Sequence, residues 1–302
     1  MNSPTPAPVN GWIIVDKPEG ITSATAVGVV RRTCKTKKCG HAGTLDPMAT
    51  GILPLALGEA TKTMAYLETA DKSYRFTVQF GSATDTDDKE GEVIATSDII
   101  PSREQILVAL PAFTGEIEQV PPDYSAIRVD GKRAYDLARE GKAFTLKSRK
   151  VTVRKLTLVE MPTPSSIVME MDCSKGTYVR AIARDLALKL GTYAHVTTLR
   201  RTRVGHFLEK SAISLENLKE MVHIGRLSEA LLPVEAALDD ILVLALNPVS
   251  SQDLRQGRSI QLVDSSTTWQ DGSVVLAKSD NKPVAIGRVE AGKFRPLRVF
   301  NL

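Results

Sequence analysis

The chain has 302 residues, 42% of them apolar and 25% charged. That is enough for one large globular domain, or a large and a small one, and it excludes wholesale disorder. The net charge is only +4, and the longest clean apolar run, Ile241 to Leu246, is far short of a membrane helix. The opening MNSPTPAPVN is Pro-rich, with no charged side chain and no apolar h-region. Residues 1–10 are therefore expected to be a disordered tail rather than a signal peptide, and the protein to be cytoplasmic, with no membrane association.

In chain order, Gly11 to Val15 reads as a buried strand that ends in the turn Asp16-Lys17-Pro18. Thr22 or Ser23 can cap a helix containing Val27 and Val30. Cys39 to Gly58 carries four glycines and two prolines with little periodicity, which predicts one long functional loop. Glu59 to Leu67 reads as a helix. Ser73 to Phe80 alternates apolar and polar residues and predicts a half-buried strand. Ser102 to Leu110 is a capped helix, and a short helix is expected at Ala134–Arg139 with Gly141 as its stop. Val151 to Leu158 and Ser166 to Asp172 are predicted strands. Thr177 to Leu190 is a strongly amphipathic helix stopped by Gly191. Arg203 to Leu208 is a predicted strand, and Ser214 caps a helix. Near residue 240 the composition changes. Asn247-Pro248 opens a short helix, with Gly257 at its end. Apolar runs around Ile260, Val274–Leu276, Val284–Ile286 and Leu297–Phe300 follow, separated by turn residues. The expected division is a domain over 11–240 and a small β-rich one over 241–302.

The charge distribution says more than its total. Between Tyr124 and Lys155, ten basic residues stand against three acids, a local excess of +7. Asp85 to Glu92 concentrates five acids around one lysine. The basic stretch has the footprint of a polyanion site, although each cluster alone is equally a solvated face. The three cysteines and four histidines show no metal-ligand spacing, so no metal is expected. Walker A, GxGxxG and GxSxG motifs are absent from the sequence, which argues against nucleotide hydrolysis, dinucleotide redox chemistry and common serine hydrolysis.

Asp46 stands out within the long stretch. Pro47 restricts it to extended geometry, and flanking glycines allow close approach to a ligand. It could act as a nucleophile or base, or simply cap a turn. Tyr74 opens the alternating strand on its apolar face. Arg180 sits in the first turn of the amphipathic helix, where the helix dipole disfavours it, so it should face a buried acid or a phosphate unless it is simply exposed.

These residues lie in a longer pattern. The pattern comprises Asp16-Lys17-Pro18-x-Gly20-x-Thr22-Ser23, Gly40-His41-Ala42-Gly43-Thr44-Leu45-Asp46-Pro47, Lys72-x-Tyr74, Gly81-x-x-Thr84-Asp85-Thr86-x-Asp88, Gln119-x-Pro121-Pro122-x-Tyr124, Cys173-Ser174-Lys175-Gly176-Thr177-Tyr178-Val179-Arg180 and His195-Val196-x-x-Leu199-Arg200-Arg201. In content and order it resembles the TruB family of tRNA pseudouridine synthases. The resemblance implies an α+β fold with a mixed, largely antiparallel central sheet and a small C-terminal PUA-like domain. It implies isomerisation of uridine-55 in the tRNA T-loop by a monomer, without cofactor, DNA or obligatory protein partner. Asp46, Tyr74 and Arg180 match the family's catalytic positions. His41, Tyr178, Leu199 and Asp88 match substrate-binding ones. Lys147, Arg149 and Lys150 fall in an insertion, about 124–155, that closes over RNA in this family.

Overall fold

Two strands buried on both faces set the centre of the fold. In the computed structural model, which describes residues 8–262 and 269–302, β1 (Gly11–Lys17) sends Ile13 and Val15 into one apolar core and Trp12 and Ile14 into another. α1 (Ser23–Thr33) follows, and the Thr22 side chain caps it by accepting from the Thr25 amide at 3.0 Å. The stretch from Cys39 to Gly58 is not one loop, contrary to the sequence expectation. β2 (Cys39–His41) and β3 (Thr50–Leu57) are strands, and only residues 42–49 loop out between them. β3 places Leu53, Leu55 and Leu57 in the first core and Ile52 and Ala56 in the second, so the alternation that marks a half-buried strand never appears. Pro54 falls between the part of β3 that pairs with β12 and the part that pairs with β2.

A 3-10 turn (Gly58–Thr63) runs into α2 (Met64–Glu68) where the sequence predicts a single helix. β4 (Lys72–Phe80) keeps the expected alternation, with Tyr74, Phe76, Val78 and Phe80 facing the first core. β5 (Ser82–Thr84) and β6 (Val93–Thr96) form a ribbon around the acidic turn. α3 (Arg103–Ala109), opened by a Ser102–Gln105 capping box, leads to β7 (Gly115–Gln119). The basic stretch holds a second ribbon, β8 (Arg128–Val129) with β9 (Lys132–Arg133), and α4 (Ala134–Arg139). Then come β10 (Arg149–Thr163), β11 (Ser166–Cys173) and α5 (Val179–Lys189). β12 (Ala194–Val204) begins at Ala194, well before the predicted start at Arg203. Irregularities between Val196 and Thr198 and between Arg201 and Arg203 break its two-residue period. β13 (Phe207–Leu208), β14 (Ile213–Ser214), α6 (Leu215–His223) and α7 (Leu227–Ala230) complete this part.

The remaining elements are β15 (Leu242–Ala245), α8 (Pro248–Arg255), β16 (Ile260–Gln261), β17 (Val274–Ser279), β18 (Lys282–Glu290) and β19 (Lys293–Val299). The large sheet has the order β14-β1-β3-β12-β4-β11-β10-β7, with β2 on β3 and β13 on β12. It is mixed and largely antiparallel. Only β1–β14 and β3–β12 are parallel pairs in it. The second sheet runs β15-β17-β18-β19-β16. Its Leu276 and Ile286, with Phe300, share the second core with Trp12, Leu67 and Phe207, so the two sheets are joined by apolar packing. Lys62 Nζ donates to the Val299 carbonyl at 2.7 Å across the same junction.

Of the tail expected over residues 1–10, residues 1–7 lie outside the described residues. Asn10 is held in place, since its Oδ1 accepts from the Glu59 amide at 2.9 Å, and Val9 packs on the first core. Residues 8–10 thus belong to the ordered chain.

The β3–β12 junction depends on Gly51. It has φ +98°, and a Cβ there would meet the Arg201 carbonyl oxygen at 2.2 Å. Gly51→Ala is expected to destabilise the fold by about 2 kcal/mol or more, read as a lowered unfolding midpoint. An unchanged midpoint would show that the junction yields freely.

Candidate active site

A cleft of about 260 Å³ opens between the loop 42–49, β4, β12 and the N-terminal end of α5. Asp46, Tyr74, Tyr178, Arg180 and Leu199 all line it, although they come from four separate parts of the chain. The alternation of β4 turns Tyr74 inward. On the neighbouring strands its ladder partners are Met171 and Arg201. Tyr178 is the residue that caps α5, so its side chain stands at the helix mouth and Arg180 in the first turn.

Arg180 is 4% exposed at its side chain and meets two carboxylates, Asp46 Oδ2 at 2.9 Å and Asp88 Oδ2 at 3.4 Å. It also donates to the carbonyls of Thr86 at 2.7 Å and Tyr124 at 3.0 Å. The dipole penalty of an arginine at a helix start is offset by these four acceptors. Asp46 remains 32% exposed, so one edge of its carboxylate faces the cleft.

The loop that carries Asp46 is tied at consecutive residues by groups the sequence reading did not single out as functional. Arg201, fully buried, donates to the carbonyls of Gly43 at 3.1 Å and Thr44 at 3.3 Å. Ser23 Oγ donates to the Leu45 carbonyl at 3.0 Å and accepts from its amide at 2.8 Å. Pro47 O accepts from Lys17 Nζ at 3.1 Å and from the Gly20 amide at 2.9 Å. The signal for these residues was present, since each lies inside one of the quoted motifs.

Burial governs the titration behaviour of the cleft. It pushes the Tyr74 phenol above its ordinary value, and the Arg201 guanidinium opposes that shift. Desolvation brings Lys17 down to about 8, and Lys72, which lines the cleft, to about 8 as well. His41 is lowered by burial and then by Arg201, which favours its neutral ring.

The other candidates lie off the cleft lining. His41 ends β2, and its buried Nδ1 has no partner among the described residues. Asp88 is buried behind Arg180. Its Oδ1 accepts from Thr86 Oγ1 at 2.7 Å and the Glu90 amide at 3.0 Å, so in this structure it holds the arginine and does not reach the cleft. Arg149 stacks on the Tyr178 ring, with its Cζ 4.8 Å from the ring centre, and donates to the Gly176 carbonyl. Lys150 pairs with Glu116 at 2.8 Å, whereas Lys147 is exposed. No cluster of three or more metal-ligating side chains occurs among the described residues.

Asp87, beside Asp88, pairs with Arg184 of α5 at 3.0 Å, yet burial pushes its carboxyl up to about 6. Between the ordinary 3.8 and about 6, the native chain holds a proton that the unfolded chain has lost, so stability falls as pH rises through that window. Asp87→Asn should flatten this fall, measured by urea unfolding across the window. An unaltered slope would assign the effect to another group.

Comparisons with known proteins give the family of the chain. The model for the TruB family pseudouridylate synthase N-terminal domain matches residues 31–179, and that for the tRNA pseudouridylate synthase B C-terminal domain matches residues 180–239. The tRNA pseudouridine synthase B of Caulobacter vibrioides is 53% identical over 300 residues, with 97% of each chain covered. That of Bradyrhizobium diazoefficiens is 48% identical over 299 residues, covering 97% of this chain and 86% of the relative. Among solved structures, a chain of an H/ACA RNP bound to a substrate RNA containing 2′-deoxyuridine superposes with a TM-score of 0.75 at 22% identity, covering 97% of this chain and 85% of that one. A chain of a Cbf5-Nop10-Gar1 complex gives 0.73 at 24% identity, covering 96% and 84%. The structural likeness is one of fold. The sequence matches, which run nearly end to end, go further: the chain belongs to the TruB family of pseudouridylate synthases.

Proposed function

We propose that this protein converts uridine-55 in the T-loop of tRNA to pseudouridine, with Asp46 as the catalytic carboxylate. The observation that carries the reading is the Asp46–Arg180 pair at 2.9 Å, set in a cleft lined by Tyr74, Tyr178 and Leu199. A uridine inside a folded loop must leave its stack to be rearranged, at a cost of a few kcal/mol. A pocket with aromatic and apolar walls returns part of that stacking energy. The neighbouring guanidinium orients the Asp46 carboxylate through Oδ2 at 2.9 Å.

The ionised carboxylate serves either of two routes. In one it bonds to C1′ as the N1–C1′ bond breaks, and C5 of the turned base later displaces it. In the other it removes the C2′ proton, the N1–C1′ bond breaks to leave a glycal, and the proton returns to C2′ as C5 attaches. Both require the base to be released, turned and held. Tyr74 stacks on it and takes its C5 proton, and Tyr178 and Leu199 line its pocket. His41 contacts the T-loop where the base has left.

In this reading residues 11–240 are the catalytic domain and 241–302 a PUA-like RNA-binding domain. The chain acts as a monomer in the cytoplasm, without a cofactor or obligatory partner. The basic stretch 124–155 closes over RNA through phosphate contacts that position without reading sequence. Arg149 and Lys150 already have protein partners, which leaves Lys147 as the one of the three without a partner among the described residues.

The test is mass mapping of pseudouridine in an unmodified tRNA transcript treated with the purified chain alone. Conversion at position 55 by wild type and none by a folded Asp46→Asn variant are expected. Full conversion by Asp46→Asn would remove the aspartate from the chemistry, and dependence on an added guide RNA or protein would replace the stand-alone reading. Lys147→Ala should weaken tRNA binding and reduce its salt dependence by up to about one phosphate contact. An unchanged slope in salt-titrated binding would make that side chain a bystander.

A further inference from the structure

Arg201 is a charged side chain with no exposed surface. Its three described hydrogen bonds all go to backbone carbonyls: Ile52 at 2.7 Å, Gly43 at 3.1 Å and Thr44 at 3.3 Å. Among the described residues no carboxylate pairs with it. Its chain neighbour Arg200 is partly exposed and paired with both Asp16 and Glu209. Removing a guanidinium from water without a counter-ion is expensive, and carbonyls answer its hydrogen-bonding needs but not its charge. Holding a loop would not by itself require an ion. The charge has one polar side chain directly across the ladder, Tyr74, and both line the cleft.

We propose that Arg201 is a positioning residue for the isomerisation: it fixes the loop that carries Asp46 and supplies the positive charge against which Tyr74 gives up and regains a proton. The inference rests on the proposed function. In that reaction C5 loses one proton and N1 gains one. When C5 has bonded to C1′, the base is an imine across N1 and C6, and C5 still carries its hydrogen. The Tyr74 O–H gives its proton to N1. The phenolate then takes the proton from C5, the C5–H pair becomes the C5–C6 double bond, and the N1–C6 π pair settles on N1. One proton has moved from C5 to N1 and the phenol is restored, with no co-reactant. N1 and C5 both flank C6, so one oxygen can serve both.

Between the two transfers the phenolate is buried and needs a cation. Around Tyr74, Cys173 comes from β11, Asp46 from the loop, Lys72 from its own strand and Arg201 from β12. Arg180 and Glu68 lie further round the cleft. Lys72 directs its ammonium to the carbonyls of Glu68 at 3.1 Å and Ala70 at 2.7 Å, and Arg180 is taken by Asp46 and Asp88. Arg201 is the cation that remains for the phenolate.

The experiment follows tritium release from C5 of tRNA labelled at uridine-55, under single turnover and across pH. Wild-type release tests the proposed function by itself, and the ratios among variants test Arg201. Arg201→Met should slow release by about 100-fold or more, while tRNA binding stays within about threefold. Its alkaline-falling limb should move to higher pH, because the phenol must start protonated and loss of the positive charge makes it harder to ionise. In a Tyr74→Phe background, the same change should cost far less than it does in wild type, leaving only the loss from the loop anchor. If the methionine variant fails to melt cooperatively, Arg201→Lys is read in its place, with 3-fluorotyrosine, a more acidic phenol, at Tyr74. That substitution should restore at least about fivefold of the lost rate. Losses that multiply in the double variant, an unmoved pH limb or no gain from fluorotyrosine would each overturn the proton role and reduce Arg201 to a loop anchor.

Discussion

In the proposed function, a carboxylate offered to RNA needs a fixed cation beside it and a loop that does not yield. Both conditions converge on residues 43–47. Arg201, Ser23, Lys17 and the Gly20 amide hold the backbone of Gly43, Thr44, Leu45 and Pro47 in turn, leaving Asp46 as the residue between two clamps. Its side chain then has a single ion pair among the described residues, at Oδ2 with Arg180. A carboxylate held through its backbone neighbours and one oxygen keeps the other oxygen for chemistry, which a carboxylate locked by several side-chain donors would not.

The same requirement explains why the acids and bases of this chain are segregated. Of the five acids in the turn at Asp85–Glu92, Glu90 and Glu92 are exposed and the other three are engaged within the protein. Asp88 and Asp87 each engage an arginine of α5, Arg180 and Arg184, and Asp85 accepts from the Tyr124 hydroxyl at 3.2 Å. These acids are spent internally, orienting the cations behind the cleft. The near-neutral total therefore hides two separate functions, an internal scaffold of ion pairs and an outward basic insertion.

What the sequence made legible follows from how each element is buried. β4 and α5 each bury one face, so their periods were readable and placed Tyr74 and Arg180 correctly relative to the core. β3 buries both faces and carries a glycine where β12 approaches closely and a proline between its two pairings, so it read as loop. β12 is interrupted by two register shifts, so only its end was visible. For the site, the motifs carried Asp46, Tyr74, Tyr178, Arg180 and Leu199 to one cleft, but no periodicity could show that Arg201 turns inward while Arg200 turns out. The distinction is ordinary strand alternation over Leu199–Arg201, but register shifts on either side leave that stretch too short to read as a strand. Asp88 shows the converse limit: an acid within a motif was legible as important, but not as a residue that serves another side chain.

Tyr178 shows how the insertion and the chemistry are mechanically connected. The ladder between β7 and β10 pairs Gln119 directly with Arg149. Gln119 grips the Tyr178 backbone reciprocally, donating to its carbonyl at 3.0 Å and accepting from its amide at 2.8 Å, and Arg149 covers the Tyr178 ring. Most of the basic stretch, residues 120–148, leaves the sheet from these two residues and returns to them. A force on the insertion, such as docking of phosphates along its cations, is therefore delivered at its roots, and both roots hold the residue that shapes the pocket mouth. In the proposed function, RNA docked on the basic stretch acts on the Tyr178 ring through this one register position, Gln119 with Arg149.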